Sequence, residues 1–303
     1  MTSDSLLSLF DSSVVRTVAL GAALLGLVAG AVGAFAVLRR QSLQGDVVSH
    51  AALPGVAVAF LLGGRSPLEL IVGGAVAGWL ALVLVGVVNR RSRVPFDAAL
   101  GGALAVFFGL GLALMVYIQR NVSGASQHPL DRYLFGQAAI MQDRDIVTIG
   151  CLGAVALAVL AVFWKELKLL SFDPDYAASV GLPVRRLELL LTTLTVTAVV
   201  IGLKAVGVVL MTALLIAPAV AARQWTDRLG RVVLLAGVFG ALAGAGGTAV
   251  SFLPGSKTSL PTGPTIVLTA TALVVVSLLF GTARGIVWRR LAPLRVAATQ
   301  EAA

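Results

Sequence analysis

The chain has 303 residues, of which 58% are hydrophobic and 12% charged, and its mean hydropathy is +0.97. A soluble domain carries about 25% charged residues, so this composition excludes an ordinary water-soluble protein. The net charge of +9 would suit nucleic-acid binding, but the basic residues lie between apolar runs, where they set membrane topology, so a nucleic-acid partner is excluded. A single cysteine, Cys151, excludes an internal disulfide and a thiolate metal cluster.

Apolar segments recur along the whole chain, each long enough to cross about 30 Å of hydrocarbon as a helix. They predict an all-α integral membrane protein, a polytopic bundle of about eight to nine transmembrane helices. A single transmembrane domain is expected over residues 1–303, with a short tail at 1–13 that is not cleaved and a C-terminal tail at 283–303. The segments are 14–38, 47–62, 68–88, 98–118, 146–163, 187–203, 205–222, 232–253 and 265–282.

The distribution of basic residues indicates the orientation. If the loop with Arg39 and Arg40 is cytoplasmic, 16 of the 23 Lys and Arg residues lie inside. The positive-inside rule then predicts an outer N-terminus and a cytoplasmic C-terminus. Glycine pairs at GxxxG spacing, which let helices pack closely in lipid, are Gly26/Gly30, Gly74/Gly78 and Gly240/Gly244.

Two ionisable residues stand near the start of the second segment, in the stretch GDVVSHAALPG. On a helix, Asp46 and His50 would lie about 40° apart around the axis and about 6 Å apart along it, so both can face one cavity. Carboxylate and imidazole ligands suit Mn(II), Fe(II) or Zn(II). The alternative is that Asp46 caps the helix and His50 is an ordinary interior histidine. Since one chain offers two ligands, a two-fold dimer would be needed to supply four.

Leu53, Pro54 and Gly55 follow in the same segment. Pro54 cannot donate a hydrogen bond to the carbonyl of His50, so the tripeptide predicts an interruption of the helix and a free carbonyl. Interrupted helices line ion sites in transporters, which makes the three residues candidates for a gate. A simple kink is the alternative.

The connection 165–186, on the predicted inner side, reads KELKLLSFDPDYAASVGLPVRR. An N-cap at Asp173, Pro174 at the first helical position and Gly181 near the end predict a helix of about seven residues. Because so short a helix is marginal in water, it needs a packing partner, and a solvated turn is the alternative. A small apolar face is offered by Tyr176, Ala177 and Val180.

Six stretches occur in this order: GDVVSHAALPGVAVAFLLGG, FDAALGGALAVFFGLGLAL, DRYLFGQAA, LLSFDPDYAASVGLPVRRL, AVGVVLMTALLIAPAVAAR and LPTGPTIVL. Together they resemble the ABC-3 family of manganese, zinc and iron permeases. The resemblance implies a fold like that of type II ABC importer permeases, in the bacterial inner membrane. It also implies three kinds of partner: a second permease copy, identical or paralogous, a cytoplasmic ABC ATPase dimer and an extracytoplasmic metal-binding protein.

The resemblance also assigns roles to residues. It implies that Asp46 and His50 hold the transported metal, with no permanently bound cofactor. SHAALPG resembles the stretch in manganese or iron importers rather than in zinc importers, and manganese is the expected ion. The chain is then no enzyme, since ATP would be hydrolysed by the partner. The residues that dock on the ATPase would be Asp173, Pro174, Asp175, Tyr176, Ala177, Ala178 and Gly181. The alternative function is an ATP-independent secondary metal carrier, for which the carboxylate of Glu188, near the end of a predicted span, is a further candidate.

Overall fold

The computed structural model describes residues 13–64, 66–121, 141–252 and 260–287, and these ranges contain helices and no strand. The predicted tails therefore lie largely outside the described residues, and so does the outer stretch 122–140. The helices are α1 Ser13–Leu38, α2 Gln44–Leu61, α3 Pro67–Arg91, α4 Phe96–Asn121, α5 Asp143–Val162, α6 Trp164–Phe172, α7 Pro174–Ser179, α8 Val184–Val206, α9 Val208–Arg223, α10 Leu229–Ser251 and α11 Thr262–Phe280.

Each of the nine predicted segments coincides with a helix, which confirms the all-α bundle. The count of helices that meet the length and hydropathy of a membrane span differs slightly from the expected eight to nine. In the described ranges, seven helices are long and apolar enough to span a bilayer: α1, α3, α4, α5, α8, α10 and α11. Polar residues in its first two turns lower the hydropathy of α2, and α9 is short because a break precedes it.

The break between α8 and α9 falls at Gly207, three residues beyond the predicted position at Lys204. Gly207 has φ +90° and ψ 168°, a conformation that is essentially restricted to glycine. Its N–H still donates to the carbonyl of Leu203 at 3.0 Å, so α8 keeps its last hydrogen bond before the chain turns. A charge at a helix end does not require a break, whereas this backbone conformation does.

Helix α1 lies at the centre of the bundle and packs against α5, α8, α9 and α10. The seam between α1 and α10 is made by small residues: a Cβ added to Gly26 would collide with the carbonyl of Gly240, and one added to Gly244 with that of Ala22. Tight packing at these GxxxG pairs is confirmed. Helix α2 lies between the pair α3 and α4 on one side and α8 and α9 on the other.

Several chain turns meet at one end of the bundle, which we call the arginine-bearing end. Glu188 in the second turn of α8 joins Arg39 after α1 and Arg90 near the end of α3. Helices α6 and α7 lie between α5 and α8 at this end. Basic residues that define it are Arg39, Arg90, Arg185, Arg223 and Arg284.

Candidate functional site

Asp46 lies in the first turn of α2, where the partial positive charge of the helix N-terminus favours a carboxylate. Its side chain is half-buried. The N-cap position belongs to Leu43, which has no capping side chain. The alternative that Asp46 serves as the N-cap is therefore wrong. Its carboxylate does not cap the helix and remains a candidate metal ligand.

His50 is half-buried one turn further along α2, on the same side of the helix as Asp46. The ring meets Phe108 of α4 edge-on, with centroids 4.7 Å apart and planes at 74°. Within the described part of the chain, its enclosed Nδ1 atom has no hydrogen-bond partner. Buried polar atoms are normally paired, so the unpaired Nδ1 is unusual for an interior histidine. Metal binding by His50 stays a prediction.

The remaining surface of α2 around the pair is apolar and closely packed. Val47, Val48 and Ala51 are fully buried, and Val48 lies against Gly78 of α3, where an added Cβ would come within 3.0 Å of its Cγ1 atom. Only the side of α2 that carries the two ionisable residues is left partly open. The fold thus holds both ligands on one rigid helix.

The predicted interruption at Pro54 is absent, because α2 runs unbroken from Gln44 to Leu61. Leu53, Pro54 and Gly55 are all buried. Close packing explains the continuity: a Cβ on Gly111 of α4 would lie 2.8 Å from Leu53 and 2.9 Å from Pro54. Neighbouring helices hold a proline-containing helix in shape even though one hydrogen bond is missing. A gating role for the tripeptide stays a prediction.

One chain places two candidate metal ligands, Asp46 and His50, at this position. No group of three or more His, Cys, Asp or Glu side chains that could hold a metal occurs among the residues that the structure describes. Since a transition metal takes four to six ligands, the pair is half of a site or less.

The short helix predicted in the connection 165–186 exists as α7. Asp173 caps it by accepting a hydrogen bond from the N–H of Tyr176 at 2.9 Å, and Gly181 has φ +85°, a left-handed conformation that favours glycine. Ala177 is fully buried, whereas Tyr176 and Val180 are 56% and 58% exposed. The helix is therefore fixed to the bundle on one side and presents two apolar side chains on the other.

Sequence reasoning missed Phe108 and Gly111, which close the α4 side of the candidate site. Both lie in the stretch FDAALGGALAVFFGLGLAL, which carries no signal of the helix that it packs against. It also missed the role of Glu188, whose carboxylate pairs with Arg39 at 3.4 Å and Arg90 at 3.7 Å. Arg39, Arg90 and Glu188 lie far apart along the chain, so no local sequence pattern predicts their contact.

Known proteins resemble the chain over most of its length. The sequence profile of the ABC 3 transport family matches residues 11–281. The zinc transport system membrane protein TroC of Treponema pallidum is 43% identical over 298 residues, which cover 98% of this chain and 99% of that protein. The manganese transport system membrane protein MntC of Bacillus subtilis is 43% identical over 277 residues, covering 91% of this chain and 63% of that protein.

One solved structure extends this similarity to the fold. PsaBC from Streptococcus pneumoniae in complex with Fab superposes with a TM-score of 0.80 at 32% sequence identity. The superposition covers 96% of this chain and 99% of that chain.

Proposed function

The chain belongs to the ABC 3 transport family, and on this premise we propose that it is the membrane permease of an ATP-driven importer for a divalent transition metal. The observation that carries the proposal is the pair Asp46 and His50, two metal-type ligands on one partly open helix side inside a membrane bundle. Ionisable residues within a membrane domain mark ion pathways by default. The metal is the cargo, held briefly during transport.

Manganese is the proposed cargo. Two copies of the pair, with two waters, would make an octahedral set of four oxygens and two nitrogens, which suits Mn(II). Zinc more often takes four ligands in a tetrahedron, and one relative is named for zinc and another for manganese. The same four protein ligands without water would also form a tetrahedral zinc site, so the donor set permits both ions. Manganese is preferred because SHAALPG resembles the stretch in manganese or iron importers, with zinc and iron as competitors.

A second copy of the permease is proposed to complete the site, because two ligands hold a metal weakly. Support comes from α4, the helix that carries Phe108 against His50. Its outer face has an exposed stripe of small residues at every fourth position: Gly101, Ala105, Gly109 and Ala113. Small residues at this spacing let two helices approach closely in a membrane, so α4 is the proposed contact between the copies.

The arginine-bearing end is proposed to face the cytoplasm of a bacterium, with the chain in the plasma membrane and its N-terminus outside. There the exposed Tyr176 and Val180 of α7 would dock on an ABC ATPase dimer, while a metal-binding protein delivers the ion at the opposite end. ATP binding would then move α7 and, through α8, change access to Asp46 and His50. All steps of ATP hydrolysis belong to the partner.

The secondary carrier is the less favoured alternative. Such a carrier needs a membrane carboxylate that can exchange protons or ions. Glu188 has both carboxylate oxygens within ion-pair distance of arginines, and Glu69 belongs to the capping box at the start of α3. Both arrangements favour a structural role. Uptake that continues when the partner ATPase is inactivated would support the carrier instead.

The test is uptake of radiolabelled manganese by cells that express the chain with its complete transport system. Asp46→Ala and His50→Ala should each reduce uptake at least about 100-fold, because even outer-shell changes at metal sites cost about 10–100-fold in affinity. Excess zinc should compete less well than excess manganese. Thr271→Ala is the matched control, since this exposed hydroxyl bonds only the carbonyl of Val267 in its own helix. Normal uptake by both alanine variants at normal membrane levels would refute the site.

A further inference from the structure

A cavity of about 580 Å³ opens at the arginine-bearing end of the bundle. Its walls come from the turn between α1 and α2, the second half of α3 and the first turns of α4 and α8. Among the described residues that line it, neither Asp46 nor His50 occurs, so it is separate from the candidate metal site. Cavities of this size accept organic ligands.

The cavity has an excess of positive charge. Its charged lining residues are Arg39, Arg40, Arg90, Arg185, Asp97 and Glu188. Glu188 is shared by Arg39 and Arg90, at 3.4 Å and 3.7 Å. Burial lowers the pKa of the Arg39 guanidinium, and the carboxylate of Glu188 opposes that shift. Arg40 and Arg185 form no ion pair with any described residue, which leaves two guanidinium groups for an anion.

The backbone of Arg40 also has an unusual conformation beside the cavity. Arg40 has φ +56° and is the one non-glycine residue with positive φ in the described ranges. It ends α1 in a turn where the N–H of Gln41 donates to the carbonyl of Ala36 at 2.8 Å, and glycine is the residue that favours this position. Backbone strain of this kind commonly accompanies function. Here it sets the turn that places Arg40 in the lining of the cavity.

The far wall of the cavity is apolar. Trp79 lines it eleven residues before Arg90 on α3, a distance of about 16 Å along the helix. The Trp79 indole N–H donates to the hydroxyl of Thr193 on α8 at 3.3 Å, and the ring is 36% exposed. Between the two ends, the wall is formed by Leu82, Val83, Val87 and Leu189. The ligand that matches such a cavity has an anionic head and an apolar chain.

We propose that this cavity binds the phosphate headgroup of an anionic phospholipid, with Arg40 and Arg185 on the phosphate and the acyl chain along α3 towards Trp79. Basic pockets between transmembrane helices are suited to anionic headgroups. Inorganic phosphate shares the charge chemistry but would leave the apolar wall unmatched. A soluble protein segment would reach only the arginines at the mouth. The proposal depends on the membrane bundle and not on the metal that is carried.

Lipid retention by the purified, full-length chain tests this site. After reconstitution in mixed phosphatidylglycerol and phosphatidylcholine, native mass spectrometry should find phosphatidylglycerol retained about tenfold more than its share of the mixture. The double variant R40G/R185A should lose this preference. Because glycine suits φ +56°, R40G is expected to fold at least as well as the parent, which thermal unfolding in lipid-free detergent would check.

Three controls separate the possible sources of binding. The double variant R91A/R93A removes the same charge at the same end, outside the cavity lining, and should keep the lipid preference. Trp79→Ala should weaken lipid retention without changing any effect of added inorganic phosphate. Equal retention of both lipids by the parent, equal loss in R91A/R93A, or displacement of the lipid by millimolar phosphate would each overturn the proposal.

Discussion

The seam between α1 and α10 and the outer face of α4 use the same kind of residue in opposite surroundings. In the seam, a Cβ added to Gly26 would collide with the carbonyl of Gly240, and one added to Gly240 would collide with that of Gly26. On α4, a Cβ added to Gly101 or Gly109 would meet no atom within 4 Å. The same GxxxG-type spacing therefore occurs at a packed helix contact in the seam and on an open surface of α4.

The two regions differ in whether their small residues pack against another helix of the same chain. Lipid offers little hydrophobic driving force between helices, so close packing of small residues is what joins them. The seam completes this packing within the chain, around its most buried helix. The α4 face does not, and under the proposed function its partner is the second permease copy.

The largest expected effect is in the seam. Gly26→Leu should prevent correct folding, because the backbone of α10 occupies the space and cannot move aside as a side chain can. Overpacking a core usually costs about 1–3 kcal/mol, and contact with backbone places this variant at or above the upper end. Monodisperse protein recovered after detergent extraction is the measurement. Recovery equal to that of the parent would show that the seam is looser than described.

A smaller effect is expected on α4. Gly109→Leu should leave the yield and thermal stability of the monomer unchanged, since open space surrounds the position, but it should reduce dimer formation and metal uptake at least about tenfold. Cross-linking in native membranes measures the dimer. Gly150→Leu on α5 is the matched control, because that position is equally open. If dimers form normally in Gly109→Leu, the contact lies on another helix.

The smallest effect is expected on α7. This helix is the proposed docking surface for the ATPase, and Asp173 caps its N-terminus. Asp173→Ala should cost about 1 kcal/mol of local helix stability, because the hydrogen bond to Tyr176 is lost. The expected result is severalfold weaker co-purification of the ATPase. Asp173→Asn keeps a capping side chain and should behave like the parent. Equal weakening in both variants would show that the negative charge matters, and not the cap.

Features encoded by neighbouring residues were predictable. Nine apolar segments were correctly read as helices, and Asp173, Pro174 and Gly181 correctly predicted a short capped helix. These signals depend on side chains within one or two turns of each other. The helical spacing of Asp46 and His50 belongs to the same class, although their binding of metal stays a prediction.

Features that depend on neighbouring helices were not predictable in this way. Pro54 alone favours an interruption of α2, but close packing against Gly111 of α4 keeps the helix continuous. Likewise, the apolar runs did not show that the break between α8 and α9 falls at Gly207 and not at Lys204.

The sequence by itself determined the membrane bundle, its family and two metal-type ligands on one helix, because hydropathy and helical spacing act over short distances along the chain. Only the tertiary structure decided that Phe108 closes the site, that Glu188 joins Arg39 and Arg90, and that a basic cavity forms beside them. These contacts join residues far apart in sequence, and packing of whole helices sets them.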